Sequence, residues 1–181
     1  MINLKKMVYL IWGFLIIGLC FVSCNNLSRL DNKEIQKTLN HIELEDEYVP
    51  ELSFNEHRYV PAYSNLYYKS ESTFIYCTVV LSIRNTSLTE DLYLNNVDYY
   101  DSYGIMLSSL IKKKNKLRPL ETREFIIDFK EQKGGSGANF IVSYGTREEL
   151  KDLPIIESIT IGHHGNNGFT FTSNSQVIQS Q

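Results

Sequence analysis

The sequence predicts an all-β protein: an antiparallel β-sandwich, immunoglobulin-like in general form, with seven to eight strands. A small closed β-barrel is the alternative architecture. Three observations carry this expectation. From Tyr59 onward apolar residues recur in short runs at period two, not at helical spacing. Turn-forming residues separate these runs at short intervals. The chain is also rich in strand-favouring aromatics, with 12 Tyr and 9 Phe in 181 residues.

Phe74 to Ile83 is the clearest strand. Ile75, Cys77, Val79, Leu81 and Ile83 share one face, and Tyr76, Thr78, Ser82 and Arg84 the other. Phe74 and Val80 are exceptions, apolar residues on the polar face. Asn85-Thr86-Ser87 ends the run. Leu92 and Leu94 begin a second strand that Val97 and Tyr99 continue on the opposite parity, so a bulge is expected at Asn95-Asn96. Asp101-Ser102-Tyr103-Gly104 reads as a turn and Ile105 to Ile111 as a short strand. Lys112 to Lys116 reads as a basic loop.

Phe125, Ile127 and Phe129 alternate in the next strand, and Lys133 to Gly137 forms a loop. Phe140, Val142 and Tyr144 make a strand that Gly145 ends. Pro154 opens the β-branched run Ile155 to Ile161, Gly162 to Gly168 reads as a flexible loop, and Phe169 and Phe171 lie in a last strand. No helical pattern follows residue 50, apart from one turn at Arg147 to Leu150. An antibody-type Cys-Trp-Cys core is excluded because the only Trp is Trp12. Tyr, Phe and aliphatic residues must therefore fill the sandwich.

The N-terminus has a different character. Lys5 and Lys6 precede an uncharged apolar run, Met7 to Leu19, followed by Phe21-Val22-Ser23-Cys24. This order matches a secretory signal peptide. A small residue directly before Cys24 resembles a bacterial lipobox, in which the Cys is lipidated and becomes the mature N-terminus. The expected organisation is a signal peptide over 1–23, a lipidated Cys24 with a polar tether over 24–50, and the sandwich domain over 51–181. The expected location is the cell envelope, with the domain in the periplasm or at the cell surface. A retained helix is the competing reading, although Met7 to Val22 falls short of the roughly 20 residues a span requires. After cleavage Cys77 has only the lipidated Cys24 for company, which excludes a disulfide framework.

The chain carries 18 basic and 21 acidic residues. Loss of Lys5 and Lys6 with the signal leaves 16 against 21, a net charge of −5. That balance argues against a nucleic-acid partner, which calls for a basic patch.

Several segments in fixed order carry a resemblance: Tyr59-Val60-Pro61-Ala62-Tyr63-Ser64, Leu81-Ser82-Ile83-Arg84-Asn85-Thr86, Val97-Asp98-Tyr99-Tyr100-Asp101, Gly134-Gly135-Ser136-Gly137-Ala138-Asn139-Phe140, Pro154-Ile155-Ile156-Glu157 and Phe169-Thr170-Phe171-Thr172-Ser173. The series resembles the bacterial envelope family catalogued as domain of unknown function 3124, over about Tyr59 to Ile178. The resemblance implies an exported, often lipid-anchored small domain. It brings no activity, substrate or catalytic residue.

Four clusters are candidates for chemistry. Gly134-Gly135-Ser136-Gly137 could cradle an anion with backbone amides, helped by Asn139, or could be a tight connection between strands. Asp98-Tyr99-Tyr100-Asp101 places two carboxylates three residues apart beside the expected bulge; in the plainer reading Tyr99 packs inward and Asp101 opens the turn. His163-His164 could ligate a metal with Asp98 or Asp101, but adjacent His on a strand face opposite ways. Cys77 on an apolar face reads as a small buried hydrophobe. Lys112 to Lys116 could touch anionic headgroups or an acidic partner, and the tyrosines could serve a glycan or protein surface.

No cofactor is implied. The expected function is that of a non-enzymatic binding or interaction module, held to a membrane by its N-terminal lipid, with an envelope protein or glycan as partner. The alternatives are a metal-binding protein or enzyme using Asp98, Asp101, His163 and His164, and a structural role in envelope integrity.

Overall fold

A computed structural model of the chain describes residues 42–43, 50–149 and 153–180. The described residues are all-β, with no helix, and form two antiparallel sheets with no closed barrel. The sandwich therefore holds and the barrel does not. Among the described residues the strand count rises from the expected seven or eight to twelve. Cys24 and most of the tether lie outside the described residues, as does the signal segment.

The first sheet contains β1 (Ile42–Glu43), β7 (Asn115–Leu117), β5 (Leu92–Tyr100), β9 (Asn139–Thr146), β2 (Phe54–Pro61) and β12 (Gln176–Ser180), in that spatial order. Strand β6 (Met106–Ser109) pairs with the far end of β5. The second sheet runs β11 (Asn167–Asn174), β10 (Ile155–His164), β4 (Ser70–Arg84) and β3 (Asn65–Tyr68). Strand β8 (Thr122–Ile127) also pairs with β4, opposite its Val79 to Arg84 half.

The inner faces follow the alternation of the sequence. Val79, Leu81 and Ile83 meet Leu92, Leu94, Val97, Phe140 and Val142 in one core cluster, all fully buried. Burial of each such side chain stabilises the fold by about 1.5–3 kcal/mol. Tyr93, Tyr99, Tyr144 and Phe140 are the largest fully buried side chains and take the place of the missing Trp. The bulge in β5 falls where the parity slips. Its register against β9 shifts between Leu94 and Asn96, which turns Val97 and Tyr99 back into the core.

Several boundaries differ from expectation for identifiable reasons. His163 and His164 belong to β10, and Asn167 and Gly168 to β11, so the expected seven-residue loop shrinks to the turn Gly165-Asn166. Cross-strand pairing carries the ladder through residues that are polar by composition. Asn115 and Lys116 leave the expected basic loop to pair with Leu94 and Tyr93. Ile42–Glu43, inside the expected tether, pairs with β7. The strand expected over Ile105 to Ile111 is confined to Met106–Ser109, and residues 147–148 are a bend. Strands β2, β3 and β12 carry no clean alternation of apolar and polar residues, and the pattern misses them.

Candidate functional site

The Gly-rich segment sits at one end of the sandwich and is held by side chains from three other segments. Glu131 Oε2 accepts from the Gly134 amide at 3.2 Å and from the Tyr99 hydroxyl at 3.1 Å. Ser64 Oγ accepts from the Gly135 amide at 2.7 Å. Ser102 Oγ accepts from the Gly137 amide at 2.9 Å and donates to the Gly134 carbonyl at 3.0 Å. The amides of Gly134, Gly135 and Gly137, which an anion cradle would use, thus have internal acceptors. Gly135 takes φ of +83°, a conformation that favours glycine. Asn139 is buried in β9 beyond the loop, and Ser136 is half-buried within it.

Tyr99 packs inward against Phe140, ring centroids 5.1 Å apart. Burial pushes its hydroxyl well above the usual tyrosine range, and the neighbouring Glu131 carboxylate adds to the effect. Asp101 Oδ1 accepts from the amides of Tyr103 at 2.9 Å and Ile105 at 2.8 Å. That is the turn-opening arrangement its residue type favours. Asp98 and Tyr100 are half-buried on β5, where Asp98 pairs with Ser109 on β6 and with Ile141 on β9.

His163 and His164 are both exposed, on opposite faces of β10. The His164 ring lies tilted against Tyr68 with centroids 4.1 Å apart, and the Lys69 ammonium lies 5.1 Å from the centre of the same Tyr68 ring. Among the described residues no three His, Cys, Asp or Glu side chains assemble as a metal-binding group. Cys77 is fully buried, and burial raises its thiol above the usual range.

A polar cluster lies inside the other end of the first sheet. Glu56 Oε1 accepts from Arg58 Nε at 2.5 Å and from the Tyr144 hydroxyl at 2.6 Å. All three residues are buried. Nothing in the sequence pattern marks this cluster, because Glu56 and Tyr144 lie 88 residues apart.

The least expected surface is the outer face of the second sheet. Val80 pairs with Ile126 on β8 and Ile159 on β10, which sets three aliphatic side chains in one row across three strands. Ile161 lies in the next row, opposite Thr78. Along β4 the same face continues through Tyr76 to Phe74, whose ring lies 5.1 Å from that of Tyr67 on β3. Ile126 is 63% exposed, Tyr67 61%, Ile161 46%, and Phe74 and Tyr76 40% each. The ion pair Arg84–Glu157, 3.2 Å, borders the stripe at one end. Phe74 and Val80, the two breaks in alternation, were its signal in the sequence.

Fold and surface together define a β-sandwich of two antiparallel sheets with an aromatic and aliphatic stripe on one outer face. Residues 55–178 match the protein family of unknown function DUF3124, and the chain belongs to that family. No curated protein and no solved structure matches it.

Proposed function

We propose that the protein is a non-enzymatic interaction module of the bacterial envelope, tethered through a lipid on Cys24, whose sandwich binds another envelope protein. One observation carries the binding reading: the stripe Tyr67, Phe74, Tyr76, Val80, Ile126 and Ile161 on the outer face of the second sheet. Exposed apolar surface with a polar border is the composition of a protein interface. Aliphatic residues make up half the stripe, which favours a protein over a glycan, since sugar recognition draws on aromatic faces flanked by hydrogen-bonding groups. The tether reading rests on the basic, apolar and Cys24 order of the N-terminus.

The test places a photo-crosslinking residue at Tyr76 of the full chain in cells. A discrete crosslinked species is expected, and it is expected to vanish when Ile126→Lys and Ile161→Lys are added to a chain that still folds. Crosslinking unchanged by both substitutions would remove the stripe as the binding face. Metabolic labelling with a fatty acid tests the anchor: label is expected on the native chain and absent from Cys24→Ala.

A further inference from the structure

The two flanks of the sandwich are guarded unequally. On one flank, the two-residue β1 lies beyond β7, the segment Lys112 to Arg118 contributes five basic residues, and the edge strand β8 carries Arg123 and Glu124. Charged residues of this kind keep open strand edges from pairing with other chains. On the opposite flank one continuous segment supplies both terminal strands. Strand β11 ends the second sheet, the chain crosses at Ser175, and β12 ends the first. From Gly165 to Gln181 the sequence contains no Asp, Glu, Lys, Arg, His or Pro. Neither strand has a second neighbour among the described residues. Thr170, Phe171, Thr172, Val177 and Ile178 are exposed along it. Strand β12 is short and its register shifts between Val177 and Gln179, whereas β11 pairs with β10 in unbroken register over eight residues and has none of the usual protections of an edge.

We infer that this flank is the interface of a homodimer, formed by antiparallel addition of β11 to β11 of a second copy. Absence of charge argues for a second copy over a charged partner, because an uncharged edge meets itself without like-charge repulsion and offers nothing for a charged strand to select. Geometry restricts the pairing. A two-fold axis perpendicular to the sheet sets residues of equal parity opposite one another, so Thr170 and Thr172 face their counterparts on the outer side and Phe169 and Phe171 theirs on the inner side. The second sheets of the two copies then form one continuous sheet, which brings their outer-face stripes into one surface. The inference stands independently of what binds that stripe.

Light scattering on the full chain purified in detergent, with the micelle contribution subtracted, tests it over about 1 μM to 1 mM, the range in which weak association is read. A two-chain mass is expected at the upper end. Thr170→Lys with Thr172→Lys places like charges opposite one another at exposed positions, so this chain is expected to keep its melting temperature and give a one-chain mass. Mixing it with a Thr170→Glu, Thr172→Glu chain is expected to restore the two-chain mass. The inference is overturned by a one-chain mass for the native protein throughout, by a dimer indifferent to the lysines, or by failure of the oppositely charged chains to pair.

Discussion

The hydroxyl of Tyr99 fills the space that a side chain on Gly134 would need: a Cβ there would lie 1.9 Å from it. The same hydroxyl donates to Glu131, whose carboxylate also receives the Gly134 amide. The buried tyrosine, the loop and the acidic residue are thus mutually fitted. Gly134→Ala is expected to destabilise the domain by about 1–3 kcal/mol through overpacking. Tyr99→Phe is expected to cost about 1 kcal/mol through the lost hydrogen bond. Because Phe vacates part of the contested space, Gly134→Ala should cost less in the Tyr99→Phe background. Urea denaturation of the four proteins checks that coupling, and strict additivity would contradict it.

Ser64 and Ser102 hold the loop amides from two directions. Ser102→Ala is expected to speed hydrogen exchange at Gly137 while leaving Gly135 protected, and Ser64→Ala to do the reverse. Residue-resolved exchange by NMR reads both amides in one experiment. Equal loss at both positions in either variant would show that the loop opens as one unit.

The Glu56–Arg58 pair is buried on both sides, with side chains 6% and 10% exposed. Glu56→Leu leaves a guanidinium charge without its carboxylate inside the sandwich, and is expected to cost about 3–5 kcal/mol. Replacing both residues, as Glu56→Leu with Arg58→Met, is expected to recover most of that loss. Thermal denaturation distinguishes the two outcomes.

Alkaline stability follows from two tyrosines. Burial raises the hydroxyls of Tyr99 and Tyr144, with Glu131 and Glu56 respectively adding to the effect. Both stay protonated in the folded chain where the unfolded chain ionises, near pH 10. Their contribution is therefore whole below pH 10 and declines as pH rises above it. The slope approaches about 2.7 kcal/mol per pH unit for the pair. Absorbance titration is expected to show the exposed tyrosines ionising first and a steep late phase coinciding with unfolding. A Tyr99→Phe, Tyr144→Phe chain should lack that phase.

Cys77 offers a probe of opening. In a Cys20→Ser, Cys24→Ser background its buried thiol is expected to react with a disulfide reagent only as fast as the domain unfolds. Cys77→Val should fold normally. Rapid labelling at native pH would place the thiol at an accessible surface.

Period-two alternation made β4, β5, β8, β9 and β10 legible, since each puts its apolar core residues on one face; β9 is covered on both, but Asn139, Ser143 and Gly145 keep its second face from reading as apolar. The parity slip at Asn95 located the bulge because a single inserted residue must change which face points inward. The same logic failed for β2, where Glu56 and Arg58 point inward as a pair and mimic an exposed strand. It failed again for His163 and His164, whose place in the ladder comes from backbone pairing with β11 and leaves no trace in side-chain polarity. Asp101 was legible as the residue that opens its turn. The partners of Tyr99 and the Gly-rich loop were not, since they come from segments distant in sequence.

The position of β2 also sets an order of events. Its neighbours in the sheet, β9 and β12, are both supplied late in the chain: Glu56 meets Tyr144 88 residues on, and Arg58 reaches Ser175 117 residues on. Phe54 to Pro61 therefore has no strand to join while the intervening chain is still being made or threaded. Such distant pairing slows folding. Under the export proposed above, a first strand left unpaired until the far end arrives is also one that a translocation channel can pass unfolded.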